Sequence, residues 1–459
     1  MAEHGLPPTE PRAAQASPAR AARRDIDRRI ANLAIPALGA LVAEPLFLTV
    51  DTALVGHLGA APLAGLAIAS AILQTAVGLM VFLAYSTTPL VARRRGAGDT
   101  RGAVQAGIDG LWLALAIGVV VAAAIWAACR PVVAAFGADG ETSAQAAVYL
   151  GISCLGIPAM LIVFAASGLL RGLHDTKTPL AVAAAGFTAN ALLNWLFIYG
   201  LGWGIAGSAW GTVLAQWGMV LAYLAVIGRH ARRSGASPLP RRDGLGRVGR
   251  TGGWLFVRTL GLRAALLATV FVATAHGTIA TAGYQVMFML FGVAAFALDA
   301  LAIAAQALVG DALGARDAAR ARLVVRRTIL WGFVSGGGLG AAFAIASPVV
   351  GHVFTDDPAV LAILPPALLV LGLSLPLGAY VFVLDGVLMG AGDARYLAWT
   401  SLVNLAAYLP ALWALTAFAR SDAAALVGLT LGFSVVFMAA RALTLGLRAR
   451  TERWMVLGV

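Results

Sequence analysis

Charged residues are scarce here. Asp, Glu, Lys and Arg make up 12% of 459 residues, with a single lysine, Lys177. A soluble globular chain carries about a quarter charged residues, so this composition excludes that class. Cysteine is nearly absent. Cys129 and Cys154 both lie in apolar stretches and offer no metal or redox spacing, and nothing asks for a disulfide between them. The histidines (His4, His57, His174, His230, His276, His352) are scattered and form no ligand pair. No cluster of aspartates lies inside an apolar run, which argues against a magnesium-pyrophosphate enzyme such as a membrane-embedded polyprenyl transferase. The function therefore reads as non-enzymatic, with no metal and no cofactor beyond a coupling ion.

What is present is grease: 60% hydrophobic residues and a mean hydropathy of +0.86. Apolar runs recur at about 30–55, 63–90, 103–129, 145–170, 179–200, 205–228, 252–276, 280–309, 324–347, 361–389, 396–419 and 423–447. Each is long enough to cross a bilayer as a helix, which takes about 20 residues. The expectation is an all-α membrane protein of twelve spans. Residues 1–29, rich in Ala, Pro and Arg, read as a disordered tail rather than a signal peptide. The net charge of +12 resides mainly in alternate loops, at Arg93–Arg95 and Arg101, Arg171 and Lys177, Arg229–Arg250, Arg316–Arg327 and the C-terminal end. The other loops hold only Arg130 and Arg420 beside acids. Topology and anionic lipid explain this bias better than nucleic acid, and it predicts both termini in the cytoplasm.

The chain repeats itself at an offset of 218. Gly59 meets Gly277, Gly96 meets Gly314, Asp99 meets Asp317, Phe136 meets Phe354, and Pro158 meets Pro376. Six spans per copy give both copies the same orientation, related by an axis along the membrane normal. The expected units are a six-helix lobe at 30–228, a basic linker at 229–250, a second lobe at 251–450 and a tail at 451–459. Between them lies a central cleft.

Ionisable residues inside apolar runs are costly and mark function or pairing. The first span, Leu33–Leu58, holds Glu44 and Asp51, seven apart and on one helix face. Pro36 and Pro45 interrupt its hydrogen bonding and are the expected hinges. Asn190 and Asn194 share a face of the fifth span, and Thr212 sits in the sixth. These groups can hydrogen-bond a carboxylate in either protonation state, although interhelical polar glue is an equal reading. In the second lobe, Asp299 and Gln306 lie seven apart, with Asp385 in the tenth span. Arg263 is the deeper counter-ion candidate for these acids, whereas Arg258 reads as snorkelling toward the surface. A structural ion pair of Arg263 with Asp299 or Asp385 is as good a reading as a substrate contact. None of these acids repeats: Asp51 falls opposite Thr269, and Asp299 opposite Val81.

Three stretches resemble the multidrug and toxic compound extrusion (MATE) family, in the branch related to DNA-damage-inducible protein F. They are Val50-Asp51-Thr52 through Gly59, Gly168 through Pro179, and Ala297-Leu298-Asp299-Ala300 with Ala307-Leu308-Val309-Gly310. The resemblance covers about 30–450. It implies two six-helix lobes that rock to give alternating access, and efflux of amphipathic, often cationic compounds in exchange for protons or sodium. It also implies a cation site at the first-span aspartate, around which Asp51, Asn190 and Thr212 match the family pattern. Asn194 departs from the usual Asp, which favours proton over sodium. Gln306 stands where this branch often has Glu, and Pro36 matches a proline linked to bending.

The expectation is a proton-coupled antiporter, monomeric, in a bacterial inner membrane, with small organic molecules and the lipid bilayer as partners. Asp51, Glu44, Asn190, Asn194 and Thr212 would handle the ion. Asp299, Gln306, Asp385, Tyr284 and Arg263 would face the substrate. The alternatives are a lipid-linked precursor flippase and a sodium-coupled exporter.

Overall fold

A computed structural model of the chain describes residues 18–459, the side chains of Pro18, Ala19 and Glu44 excepted. Twelve helices are long and apolar enough to cross a membrane. In the first half they are α1 Arg20–Gly56, α2 Ala60–Gly96, α3 Thr100–Ala127, α4 Gly140–Gly172, α5 Lys177–Gly200 and α6 Gly204–Ser234. In the second half they are α7 Arg242–Ala275, α8 Thr278–Gly314, α9 Ala318–Ala346, α10 Pro358–Gly390, α11 Ala394–Ala417 and α12 Asp422–Arg450. The protein is a multi-pass membrane protein, and the arginine-rich loops gather on one face, called the basic face below.

The repeat seen in the sequence is a repeat of backbone. Gly59 and Gly277 open α2 and α8 at φ 121° and 102°. Gly98 pairs with Arg316 at φ 79° and 58°, and His174 with Gly392 at φ 66° and 77°. Asp99 caps α3 by accepting from the Gly102 amide at 2.7 Å, and Asp317 caps α9 through Arg320 at 2.8 Å.

Three boundaries differ from the sequence expectation. Residues 20–29, assigned to the tail, continue α1. Ile26, Ile30 and Leu33 repeat at helical spacing and are buried, and Asp27 pairs with Arg327 of α9 at 2.5 Å. The linker shrinks to the residues between Ser234 and Arg242, because helix continues into its charged flanks. It lies against α3: Gln105 Nε2 donates to Leu239 O (3.0 Å) and Arg241 N donates to Asp109 (2.9 Å). The tail also folds. Trp454 is buried, and Arg93 of the first lobe donates to the carbonyls of Gly458 (3.2 Å) and Ala391 (3.0 Å). Helix α1 runs unbroken through Pro36 and Pro45.

The lobes meet across the halves of α2 and α8 nearest the basic face, in a reciprocal contact that a pseudo-twofold rotation maps onto itself. A Cβ on Gly96 would lie 1.9 Å from Asp311 O, and one on Gly314 would lie 1.9 Å from Arg93 O. Arg93 and Asp311 are themselves 218 apart, so the pseudo-twofold axis passes through this crossing. Arg95 pairs with Asp311 at 2.7 Å, and Arg320 completes the carboxylate at 2.9 Å. Among the described residues, every inter-lobe hydrogen bond and ion pair falls in this half. The structure is therefore sealed at the basic face, with no such bonds across the opposite half.

His174 belongs to the seal. Arginine only donates, so the Arg95 contact to Nδ1 (3.0 Å) leaves the proton on Nε2, which donates to Ala307 O (3.3 Å). Burial, with the Arg95 charge beside it, pushes its pKa from 6.5 down to about 4. The unfolded chain then binds more protons between those values, so stability falls as pH drops through that window. His174→Gln should flatten the fall of melting temperature between pH 7 and pH 4, and equal slopes in both proteins would contradict the assignment. Gly314→Val should keep the lobes from meeting. We expect a pair of spin labels across α2 and α8 to lengthen in that variant, and transport to drop at least about tenfold.

Candidate functional site

Asp51 sits in α1 with 4% of its surface exposed. Three neutral donors from three helices converge on its carboxylate. Ser208 Oγ (α6) donates to Oδ1 at 2.6 Å, Asn194 Nδ2 (α5) donates to Oδ1 at 2.7 Å, and Tyr149 Oη (α4) donates to Oδ2 at 3.3 Å. Among the described residues no cationic side chain pairs with it. The chain of bonds continues: Asn194 Nδ2 also donates to Asn190 Oδ1 (3.0 Å), and Asn190 Nδ2 donates to Thr212 Oγ1 (2.9 Å). Both hydrogens of Asn194 are thus used, while its Oδ1 is buried without a partner. That oxygen lies against Gly211, where a Cβ would come within 2.0 Å of it.

Asp51, Asn190, Asn194 and Thr212, expected together from spacing, share this cluster. Glu44 lies outside the described residues as far as its side chain is concerned. Tyr149 and Ser208 were not anticipated. For Ser208 a signal existed, because it precedes Thr212 by four residues on α6 and so shares its face. Tyr149 had none, since a lone tyrosine in an apolar helix reads as core. Immediately after Asn194, α5 widens into a π-helical turn, Leu196–Gly200, a feature found often beside functional positions.

The matching place in the second lobe has lost its acid. Thr269 stands for Asp51 and Tyr408 for Asn190, and their hydroxyls bond at 2.6 Å. Leu412 and Leu426 replace Asn194 and Ser208.

The second-lobe residues expected to line a substrate cleft are placed otherwise. Asp385 is buried and held by Arg258, bonded on two edges, and by Arg441 at 2.9 Å. Arg258 is thus the counter-ion and Arg263 is not, because α7 turns Arg258 toward α10 and Arg263 toward α2. Arg263 is exposed, its guanidinium 2.7 Å from where a Cβ on Gly78 would lie. Asp299 accepts from Tyr85 Oη at 3.0 Å, and Gln306 Nε2 donates to Tyr85 O at 2.7 Å. Both therefore close the seal between lobes and do not line the unsealed half. Tyr284 is buried inside the second lobe and stacks on Phe288 with centroids 5.9 Å apart. On α8 Gln285 and Met289 are exposed, one helical turn apart, and Phe296 lies seven residues beyond Met289 on the same side. On α2, Gln74 and Thr75 are exposed and share the face of Gly78, which meets Arg263 of α7.

Comparisons with known proteins agree on the family. The MatE family matches residues 36–196 and 262–411, one block in each lobe. Protein DETOXIFICATION 44, chloroplastic, of Arabidopsis thaliana is 30% identical, with 82% of this chain and 74% of that protein covered. DNA damage-inducible protein F of Escherichia coli is 27% identical, covering 85% of each chain. Among solved structures, the Vibrio cholerae MATE transporter VcmN in its bent form superposes with a TM-score of 0.86 at 21% identity, covering 95% of this chain and 99% of that one.

Asn194→Leu removes the amide that bridges Asp51 to Asn190 and should destabilise the protein by about 1–3 kcal/mol. Combined with Asp51→Asn it should cost less than the sum of the two single changes, because both lie in one network. Simple additivity in thermal unfolding would show that the two side chains are not coupled.

Proposed function

Since the chain belongs to the MatE family of membrane transporters, we propose that it is a secondary antiporter that exports amphipathic organic compounds in exchange for protons. It is not an enzyme. The observation that carries the ion assignment is the neutral shell of Asp51: donors from three helices touch the carboxylate directly at 2.6, 2.7 and 3.3 Å. A sodium ion would have to displace these donors and find several oxygen ligands. A proton needs only one acceptor.

The two amides supply that acceptor. When Asp51 takes up a proton, its O–H requires an oxygen. Rotating the Asn194 amide presents Oδ1 to Asp51. Rotating Asn190 as well lets its Nδ2 donate to Asn194 Oδ1, and its own Oδ1 accept from the Thr212 hydroxyl. The chain of bonds from Asp51 through Asn194 and Asn190 to Thr212 reverses polarity and stays intact in both protonation states, while the end of the Asn194 amide facing Gly211 has no partner in the state observed. An aspartate at position 194 would lack this option. Coupling follows if the reversed network and bound cargo favour different access states of the lobes.

Cargo would occupy the unsealed half between Gln74 and Thr75 of α2 and Gln285, Met289 and Phe296 of α8. Asp299 and Asp385 are engaged elsewhere, so a preference for cations rests on Asp51 and Glu44. A single Arg263 gives little support to a pyrophosphate-lipid flippase, which would need several arginines. The basic face reads as cytoplasmic and the membrane as a bacterial inner membrane, which makes the sealed state outward-facing.

The test is transport in proteoliposomes under an imposed pH gradient or an imposed sodium gradient. The pH gradient should drive accumulation in the wild type, and Asp51→Asn should lose at least about tenfold of it. Accumulation driven by sodium alone would overturn the coupling assignment and leave the transporter assignment standing.

A further inference from the structure

The two copies of the repeat part company after their last helices. Residues 233–241 follow α6 and residues 451–459 follow α12, and the two segments are equivalent at the offset of 218. The first is held within its own lobe by two side chains of α3. Ser237 N donates to Gln105 Oε1 (2.9 Å), Gln105 Nε2 to Leu239 O (3.0 Å) and Trp112 Nε1 to Pro238 O (2.9 Å). On α9 the equivalents of Gln105 and Trp112 are Leu323 and Leu330, which offer a peptide nothing to bond. The second segment therefore lacks a dock of that kind on its own lobe.

It docks beside the pseudo-twofold axis instead. Trp454 is buried and its Nε1 donates to Ala449 O of α12 at 3.1 Å, so the base of the segment stays with the second lobe. Arg322 of α9 donates to Glu452 at 3.0 Å on the same side. Further along, Gly458 N donates to Leu313 O of α8 at 2.9 Å. There the first lobe takes hold. Arg93 of α2 gives Nε to Gly458 O (3.2 Å) and Nη2 to Val456 O, and its Nη1 reaches Ala391 O between α10 and α11 (3.0 Å). All three guanidinium nitrogens of one first-lobe residue are thus spent on second-lobe carbonyls. Gly458 permits the geometry with φ 92°, a backbone that residues with a Cβ rarely adopt.

We propose that residues 454–458 form a releasable strap that holds the basic face shut. The base of the strap belongs to the second lobe and its tip is bonded to Arg93 of the first. Parting α2 from α8 at Gly96 and Gly314 withdraws Arg93 from Val456, Gly458 and Ala391 together. These charge-assisted hydrogen bonds stabilise the sealed state and contribute nothing to the open one, so they bias the equilibrium between access states. The strap rests on the reading that the basic face opens during transport. It is independent of the coupling ion and of the cargo.

The test uses the full chain with Cys129 and Cys154 replaced by serine. Spin labels go at Arg101 and Ala319, exposed and repeat-equivalent positions on α3 and α9, and in a separate sample at exposed Leu457. Gly458→Pro removes the N–H that bonds Leu313 and cannot adopt a positive φ. It should free the Leu457 label and raise the ratio of long to short Arg101–Ala319 distances roughly three- to tenfold, the effect of one or two hydrogen bonds. Arg93→Gln should raise the same ratio, and the double variant should fall short of the product of the two effects, because the strap acts through Arg93. Gly314→Val serves as the reference for an opened basic face. Lengthening in that variant but not in Gly458→Pro would overturn the strap and leave the opening itself standing, whereas lengthening in neither would overturn both. A Leu457 label that stays immobile in Gly458→Pro, or effects that simply multiply, would also contradict the proposal.

Discussion

A carboxylate taken out of water with only neutral donors around it is the constraint on which the first lobe depends. Had an arginine faced Asp51, the pair would have been a permanent brace, because a buried ion pair costs several kcal/mol to break. Serine, asparagine and tyrosine instead hold the carboxylate through neutral donors. That is why α1, α4, α5 and α6 can be tied to one atom pair without locking the charge in place.

The second lobe takes the opposite course with the same scaffold. At the position of Asp51 it has Thr269 bonded to Tyr408, a contact between two neutral hydroxyls. Its buried acid is Asp385, which two arginines pair with. One lobe thus surrounds its acid with neutral donors, and the other surrounds its acid with cations. Duplication supplied the helices, and divergence of a few buried side chains gave each lobe its own task.

Between the lobes the repeat makes its own closure. Gly96 and Gly314 each accept the partner helix's backbone at a distance no side chain would permit. Around that crossing the asymmetric groups add direction: Arg95 with Asp311, His174 bridging Arg95 to Ala307, and Asp299 taking the Tyr85 hydroxyl. The C-terminal tail overlays this on the basic face through Arg93. Asp299 and Gln306, which looked like cargo contacts, are therefore part of the contact between the lobes.

Twelve spans, two copies in one orientation, and the clustering potential of Asp51, Asn190, Asn194 and Thr212 were all legible in the residues. They depend on length, hydropathy, fixed offset and helical spacing, which are local or periodic properties. The choice of Arg258 over Arg263 for Asp385, the burial of Tyr284, and the recruitment of Tyr149 and Ser208 were not legible. Each depends on the rotation of one helix about its axis relative to a distant neighbour, and five residues along a helix is enough to turn a side chain to the opposite face. The sequence by itself set which helices exist and which acids they bury. Only their packing decided which of those acids is held by cations and which meets neutral donors alone.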